Sequence, residues 1–280
     1  MPVRDTTADW GRLVAFNGQA TDPGEDDQPF LEYSWDFGDG TPSASGGPTV
    51  FHAYAFPGDW IATLTVTDDD GGLDTDTMTV HVTKRDTITG DLGDTVGTYD
   101  TPAQLSASLV DEYGMAVNGR QIDFYVDGLG AGSSSTNSAG IAVRSYTPLL
   151  DAGTYATQAG FAGDAYYNSS FDAGTLEVQE KATSVSYTGA LNGGPNKTIG
   201  LSAILVDATG KALANRTIEF QLGAQSVSAV TNINGVATTT LKLNQKVGIY
   251  PLTATWSPAG ADASHYVGSS DAESFKLQKK

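Results

Sequence analysis

The chain has 280 residues and a formal net charge of −18, with 15 Lys and Arg residues against 33 Asp and Glu. A surface this acidic repels nucleic acid and anionic membranes, so neither is an expected partner. The sequence contains no cysteine, which excludes disulfide bonds, thiol catalysis and cysteine-ligated zinc.

The first residues, MPVRDTTADW, lack the hydrophobic run of a signal peptide. No segment has enough consecutive apolar residues to cross a bilayer, so we expect no direct membrane insertion. If the protein is secreted, its leader belongs to a longer parent chain. The neighbouring domains of that parent chain would then be its first partners.

Apolar residues that recur with a period of two predict strands in the first 84 residues. The stretch YSWDFGDGT at 33–41 places its aromatic residues on one face of a strand and ends in an Asp-Gly turn. The runs WIATLTVT at 60–67 and MTVHVT at 78–83 alternate in the same way. Each pattern is typical of a strand with one face in a core and one face in water. The Gly-Asp-Gly triplet therefore indicates a turn rather than a catalytic or phosphate-binding loop.

Several motifs in this region occur in a characteristic order. WDFGDG at 35–40 is followed by HAY at 52–54 and by FPGDWIATLTVTD at 56–68. The segment 12–83 resembles the PKD (polycystic kidney disease) repeat, although Trp60 stands where that family usually has tyrosine. The resemblance implies a small seven-stranded Ig-like β-sandwich.

The same resemblance implies a candidate calcium site, since some PKD repeats hold a calcium ion between two loops. Here those loops read TDPGEDDQ at 21–28 and TDDDGG at 67–72. Hard cations take several oxygen ligands, and the candidate ligands are Asp22, Asp26, Asp68 and Asp70. Solvated acidic turns are the alternative, because neither loop has the spacing of an EF-hand.

The rest of the chain is a duplication. LSASLVDEYGMAVNGRQIDF at 105–124 aligns without a gap to LSAILVDATGKALANRTIEF at 201–220. Weaker matches continue through TNSAGIA at 136–142 and TNINGVA at 231–237. A repeat of about 95 residues suits a β-sandwich domain.

Both copies resemble the bacterial Ig-like repeats of large surface proteins. The resemblance rests on GRQIDFYVDG at 119–128, AGIAV at 139–143 and LLDAGTYATQAGFAGDAYYNSS at 149–170. The second copy departs from this pattern at WSPAG, residues 256–260. The sequence thus predicts an all-β protein of three tandem Ig-like β-sandwich domains, at 1–84, 85–180 and 181–280. The joins TKRD and QEKA are short and charged, which predicts an extended rod.

Catalytic residues are not apparent in this pattern. His52, His81 and His265 fall in different domains or on different strand faces, which disfavours a catalytic triad or a metal set. The glycine-rich stretch 128–132 is not followed by a helix pattern, which a phosphate cradle requires. We therefore expect no enzyme, and no cofactor other than calcium.

The preferred functional interpretation is a non-catalytic spacer or stalk of a secreted or cell-surface protein, which presents an adhesive or catalytic head. One alternative is a carbohydrate- or protein-binding accessory module of a secreted hydrolase or adhesin, with polysaccharide or a surface protein as partner. Its aromatic candidates are Trp256, Tyr166 and Tyr167, together with Trp10 and Tyr125. Core or interdomain packing is the competing role for these rings. Another alternative is a subunit of a surface lattice or virion decoration.

Overall fold

The computed structural model describes residues 4–22 and 28–279. These residues contain 23 β-strands, two 3-10 turns (Gln28–Phe30 and Gly260–Ser264) and no α-helix. None of the described helical segments has the length and apolar character to span a membrane. The strands form three groups that pair only among themselves, and we call these groups domains one, two and three. The prediction of an all-β, Ig-like protein is confirmed, while the domain limits at 84/85 and 180/181 stay a prediction.

Domain one is a sandwich of a five-stranded and a two-stranded sheet. Its strands are β1 (Thr6–Asp9), β2 (Leu13–Asn17), β3 (Glu32–Asp36), β4 (Ala44–Gly46), β5 (Thr49–Ala53), β6 (Gly58–Thr67) and β7 (Leu73–Thr83). The larger sheet has the order β1-β7-β6-β3-β4, and β2 pairs with β5 in the smaller sheet. β1 runs parallel to the end of β7, and β6 and β7 form an antiparallel hairpin.

The core of domain one is built from the alternating residues of these strands. Phe16 on β2 and Trp35 on β3 are fully buried, with ring centroids 5.3 Å apart, so they join the two sheets. Trp60 lies at the border of this core rather than within it. Its half-buried ring stacks on Tyr54 at 5.7 Å.

Domains two and three each pack a three-stranded sheet against a five-stranded sheet. The strands of domain two are β8 (Thr87–Gly90), β9 (Thr95–Thr98), β10 (Ala103–Asp111), β11 (Gln121–Val126), β12 (Leu129–Ser135), β13 (Ile141–Tyr146), β14 (Gly153–Phe161) and β15 (Ser170–Gln179). Those of domain three are β16 (Thr183–Tyr187), β17 (Asn192–Gly193), β18 (Thr198–Asp207), β19 (Thr217–Leu222), β20 (Gln225–Val230), β21 (Val236–Lys242), β22 (Gly248–Trp256) and β23 (Ser269–Leu277).

The duplicated sequence folds into the same topology twice. The sheet orders β13-β10-β8 and β12-β11-β14-β15-β9 of domain two recur as β21-β18-β16 and β20-β19-β22-β23-β17. The strand register recurs as well, since Phe124 faces Ala159 in domain two and Phe220 faces Ala254 in domain three. Each position of one five-stranded sheet therefore has a defined counterpart in the other.

The chain enters each of these two domains at one end and leaves at the other. Arg85 forms a bridge to Tyr167, three residues before β15 begins, and the chain leaves after β15 ends at Gln179. Lys181 forms the corresponding bridge to Tyr266, just ahead of β23. The full length of a long strand thus separates the two ends of each domain.

Candidate functional site

The Gly-Asp-Gly stretch of domain one is a hydrogen-bonded turn, as the sequence predicts. Gly38 and Gly40 both have positive φ, +74° and +79°. Asp39 accepts hydrogen bonds from the backbone and hydroxyl of Thr41, and its other oxygen lies 2.7 Å from His52 Nε2. Burial raises the pKa of Asp39, but the bonds from Thr41 and His52 outweigh it, so the pKa lies below its ordinary value. The His52 ring stacks on Phe37 at 4.0 Å, so the motif holds the end of β3 against β5 and has a structural role.

The candidate calcium ligands are only partly brought together. Asp22 and Asp68 line one groove beside the β6–β7 turn, and Asp26 lies outside the described residues. Asp70 is exposed at the turn, while an oxygen of Asp68 accepts the Gly72 N–H at 2.6 Å. Among the described residues, no three acidic or histidine side chains are close enough together to hold a metal ion. Calcium binding in this loop pair stays a prediction.

Three of the aromatic candidates for ligand binding occupy packing positions. Trp256 is 3% exposed in the core of domain three, in edge contact with Tyr266 at 5.9 Å. Tyr167 is 8% exposed, and Tyr166 is half-buried. The Trp256 and Tyr167 rings are therefore largely covered by their neighbours, and the Tyr166 ring packs against Trp10 and Phe56. Trp256 lies on the same face of β22 as the buried residues Leu252 and Ala254, so the alternation of the sequence is enough to assign it to the core.

Trp10 joins domain one to domain two. Its ring lies 5.2 Å from Tyr166 and 5.5 Å from Tyr167, and its Nε1 donates a hydrogen bond to the Tyr166 carbonyl at 2.8 Å. Arg85, in the join itself, lies over the Trp10 ring at 4.5 Å and donates to the Trp10 carbonyl at 2.8 Å. Arg85 also pairs with the carboxylate of Asp111 at 3.2 Å, so one side chain connects both domains.

The junction between domains two and three repeats this arrangement with different residues. Lys181 donates to the carbonyl of Asp100 in domain two at 3.0 Å and lies 2.9 Å from Asp207 Oδ2 in domain three. His265 takes the place of Tyr166 and stacks on Tyr99 of domain two at 4.0 Å, nearly parallel. A basic residue of each join is therefore fixed to the domains on both sides.

The pair in the second junction is fully buried. The side chain of Lys181 is 2% exposed and that of Asp207 is 0% exposed. The Lys181 ammonium and the Asp207 carboxylate therefore form a close, buried pair of opposite charges. Burial raises the pKa of Asp207, but the Lys181 ammonium and hydrogen bonds from Thr209 and Lys211 outweigh it and lower the pKa to about 2. The buried charge is thus held ionised by its surroundings.

A second basic residue of each repeat braces the loop that forms the junction. Arg120 pairs with Asp164 at 2.9 Å, and Asp164 also accepts the backbone N–H groups of Tyr166 and Tyr167. In domain three, Arg216 and Asp262 form the equivalent pair at 2.5 Å. The loops that carry the junction aromatics are therefore held by the same salt bridge in both repeats.

The three histidines lie apart, each beside a different aspartate. His52 pairs with Asp39, whereas His81 Nδ1 lies 2.7 Å from Asp59 on the exposed side of the β6–β7 hairpin. His265 Nε2 lies 2.9 Å from Asp151 of the preceding domain. The His52–Asp39 pair belongs to a turn, and the His265–Asp151 pair belongs to the junction between domains two and three, so both are structural contacts.

Sequence reasoning missed the charged junction residues, although a signal was present. Asp111 and Arg120 recur in the second copy as Asp207 and Arg216. A charged residue that recurs inside an otherwise apolar repeat indicates a structural contact. The partner of each charged residue lies at least 26 residues away along the chain, so the sequence does not reveal which residues pair.

Comparison with known proteins identifies the first domain. Residues 2–83 match the family model of the PKD domain. The predicted resemblance of this segment to the PKD repeat is confirmed, and two domains of Ig-like fold follow it in the chain.

Several solved structures of tandem Ig-like domains are similar along most of the chain. One contains four tandem repeats from the extending region of a large adhesion protein and is 14% identical to this chain. The match covers 88% of this chain and 66% of that chain, with a TM-score of 0.36. The present chain thus spans just under two thirds of that structure. A three-Ig segment of titin is 12% identical, with 100% and 96% covered and a TM-score of 0.35. A Ca²⁺-stabilised adhesin of an Antarctic bacterium is 13% identical, with 100% and 74% covered and a TM-score of 0.30. Similarities this low carry no information on function.

Proposed function

We propose that this chain is a non-catalytic spacer of a secreted or cell-surface protein with an adhesive role, which holds a head domain away from its anchor. The observation that carries the proposal is the repeated junction. Arg85 and Lys181 are each bonded to a carbonyl of the preceding domain and to an aspartate of the following one. A join fixed in this way transmits orientation from one domain to the next.

The path of the chain through each domain supports an extended arrangement. β7, β15 and β23 are the last strands of the three domains, with eleven, ten and nine residues. At about 3.3 Å per residue, three such strands in succession give a length of roughly 100 Å. The length comes from strand geometry alone and needs no contribution from flexible linkers.

Charge supports the same function. The net charge of −18 makes neighbouring copies and neighbouring domains repel each other, which opposes folding back and self-association. The effect is strongest at low ionic strength, because salt screens exposed charges beyond about 8–10 Å.

Small-angle X-ray scattering of the whole chain tests the proposal. A compact globule of this length has a radius of gyration of about 19 Å, whereas a rod of roughly 100 Å has one of about 30 Å. We expect the larger value, nearly independent of salt concentration. A value close to that of the globule would overturn the spacer proposal.

A matched variant separates a fixed rod from a flexible chain of domains. Insertion of six Gly and Ser residues after Glu180 leaves the Lys181–Asp207 pair intact but disconnects it from domain two. We expect a broader distribution of interatomic distances in this variant than in the original chain. Identical distributions would show that the short join at Glu180 is not what holds the two domains in one orientation. The alternative of a lattice or virion subunit stays a prediction, which self-assembly at high protein concentration would test.

A further inference from the structure

Domain two carries an open groove on the outer face of its five-stranded sheet that the spacer function does not use. The groove has a volume of about 590 Å³, and its lining includes Tyr125 on β11, Gln158 and Gly160 on β14 and Phe171 on β15. Phe171 is 69% exposed and Tyr125 is 37% exposed. The alternating residues Ile122, Phe124 and Val126 point into the core, so Tyr125 belongs to the opposite, solvent-facing side.

Gly160 forms the floor of this groove. It pairs with Asp123 on one side and with Phe171 on the other, and Tyr125 pairs with Gln158 in the next row. The φ of Gly160 is not in the left-handed region, and an added Cβ would meet its nearest neighbours at 3.9 Å. The backbone therefore does not require glycine here, but any larger side chain would fill the space between the two rings.

Domain three shows that the fold itself needs none of these features. The shared register places Gln221 at the position of Tyr125, Thr255 at that of Gly160 and Ser270 at that of Phe171. The same sheet thus forms with a polar residue at each of the three positions. Domain two therefore combines two exposed rings and a glycine between them, whereas domain three has none of the three at the corresponding positions.

The chemistry of the groove favours a flat, uncharged ligand rich in hydroxyl groups. Aromatic faces attract the partly positive C–H groups of a pyranose ring, and such rings lie flat on an aromatic surface. The Gln158 amide and the Ser169 hydroxyl, both in the lining, make no hydrogen bond to other described residues and remain available to ligand hydroxyls. The lining contains one carboxylate, Asp123, and no cationic side chain.

The lack of positive charge in the groove disfavours anionic ligands, including those that also stack on aromatic rings. Single-stranded nucleic acids need a positively charged groove to hold the phosphate backbone. The groove has no such charge, and the chain as a whole carries −18. Sulfated and uronic polysaccharides are repelled for the same reason.

We infer that this face of domain two binds a neutral polysaccharide, with hexopyranose units stacked on Tyr125 and Phe171 above Gly160. The sequence-based aromatic candidates Trp256, Tyr166 and Tyr167 do not take part, because they are packing residues. The site would let the spacer hold on to a glycan surface while it extends away from it.

Affinity electrophoresis of the whole chain in gels that contain one soluble neutral polysaccharide tests the inference. The panel consists of mixed-linkage β-glucan, xyloglucan, galactomannan and α-mannan, with carboxymethyl cellulose as the anionic counterpart. We expect retardation by at least one neutral polymer and none by the anionic one. Tyr125→Gln, Phe171→Ser and Gly160→Thr introduce the residues of domain three, and each should weaken binding by about tenfold or more.

Phe51→Ser is the matched control, since Phe51 is an exposed ring of domain one that lies outside the groove. It should leave the retardation unchanged. Tyr125→Gln keeps the test decisive if Phe171→Ser lowers stability, because Tyr125 lies one row away from the Gly160–Phe171 pair. Three results would overturn the inference: no retardation by any neutral polymer, retardation that survives the combination of Tyr125→Gln, Gly160→Thr and Phe171→Ser in one chain, or a groove variant that alters only self-association in sedimentation velocity.

Discussion

Lys181→Met removes the positive charge from the most deeply buried ion pair among the described residues. Asp207 would then remain at 0% side-chain exposure without a countercharge. Breaking a buried pair from one side costs about 3–5 kcal/mol. Asp207 Oδ1 keeps its hydrogen bonds from Thr209 and from the Lys211 backbone, so we expect a loss near the lower limit, about 3 kcal/mol.

Differential scanning calorimetry measures this loss. For a domain of this size each kcal/mol corresponds to about 4–8 °C, so the melting temperature of domain three should fall by about 12 °C or more. Hydrogen exchange of peptides from β18 and β23 assigns the transition to domain three. Lys211→Met is the matched control, because Lys211 pairs with Asp100 at the surface, where it is 63% exposed, and its loss should matter little.

The double variant Lys181→Met, Asp207→Leu completes the test. Replacement of both partners by apolar residues removes the buried charge, so much of the lost stability should return. The reasoning would be refuted if Lys181→Met melted like the original chain, or if the double variant were no more stable than Lys181→Met alone.

The remaining predictions concern acid, the turn of domain one and calcium. The folded-state pKa of Asp207 is lowered to about 2, so its contribution is present above about pH 4 and is lost as the pH falls toward 2. Lys181→Met lacks this contribution, so the difference in melting temperature between the variant and the original chain should shrink in a pH series as the pH falls toward 2. Gly38→Ala should lower the free energy of unfolding of domain one, measured by urea denaturation, by more than about 2 kcal/mol, because the added Cβ would meet the Ile61 carbonyl oxygen at 2.2 Å. Gly40→Ala is the control: Gly40 also has positive φ but has open space around it, so the cost should be about 1 kcal/mol. Calcium should raise the melting temperature of domain one relative to excess EDTA, and Asp68→Asn should abolish the difference; equal melting temperatures in the original chain would reject the calcium site.

The alternation of apolar and polar residues was sufficient to predict the fold class. Residues such as Ile218, Phe220 and Leu222 appear at every second position, and all three are buried. This pattern is local, because successive side chains of a strand point to opposite faces whatever the strand pairs with. The turn at 38–40 was readable for the same reason, since two glycines with positive φ need only their own conformation.

The candidate sites were less predictable, because their members meet only through pairing and docking. Phe171 lies 46 positions after Tyr125, and strand register alone brings both to one groove on either side of β14. Lys181 reads as an ordinary charged residue of a join, yet it is buried between partners contributed by two domains. The sequence by itself determined three β-sandwich segments, a duplication and an acidic surface, since periodicity, repetition and charge are properties of the chain. Only the tertiary structure decided which aromatic rings face solvent and which charges are buried, because both depend on residues that are distant in sequence and adjacent in space.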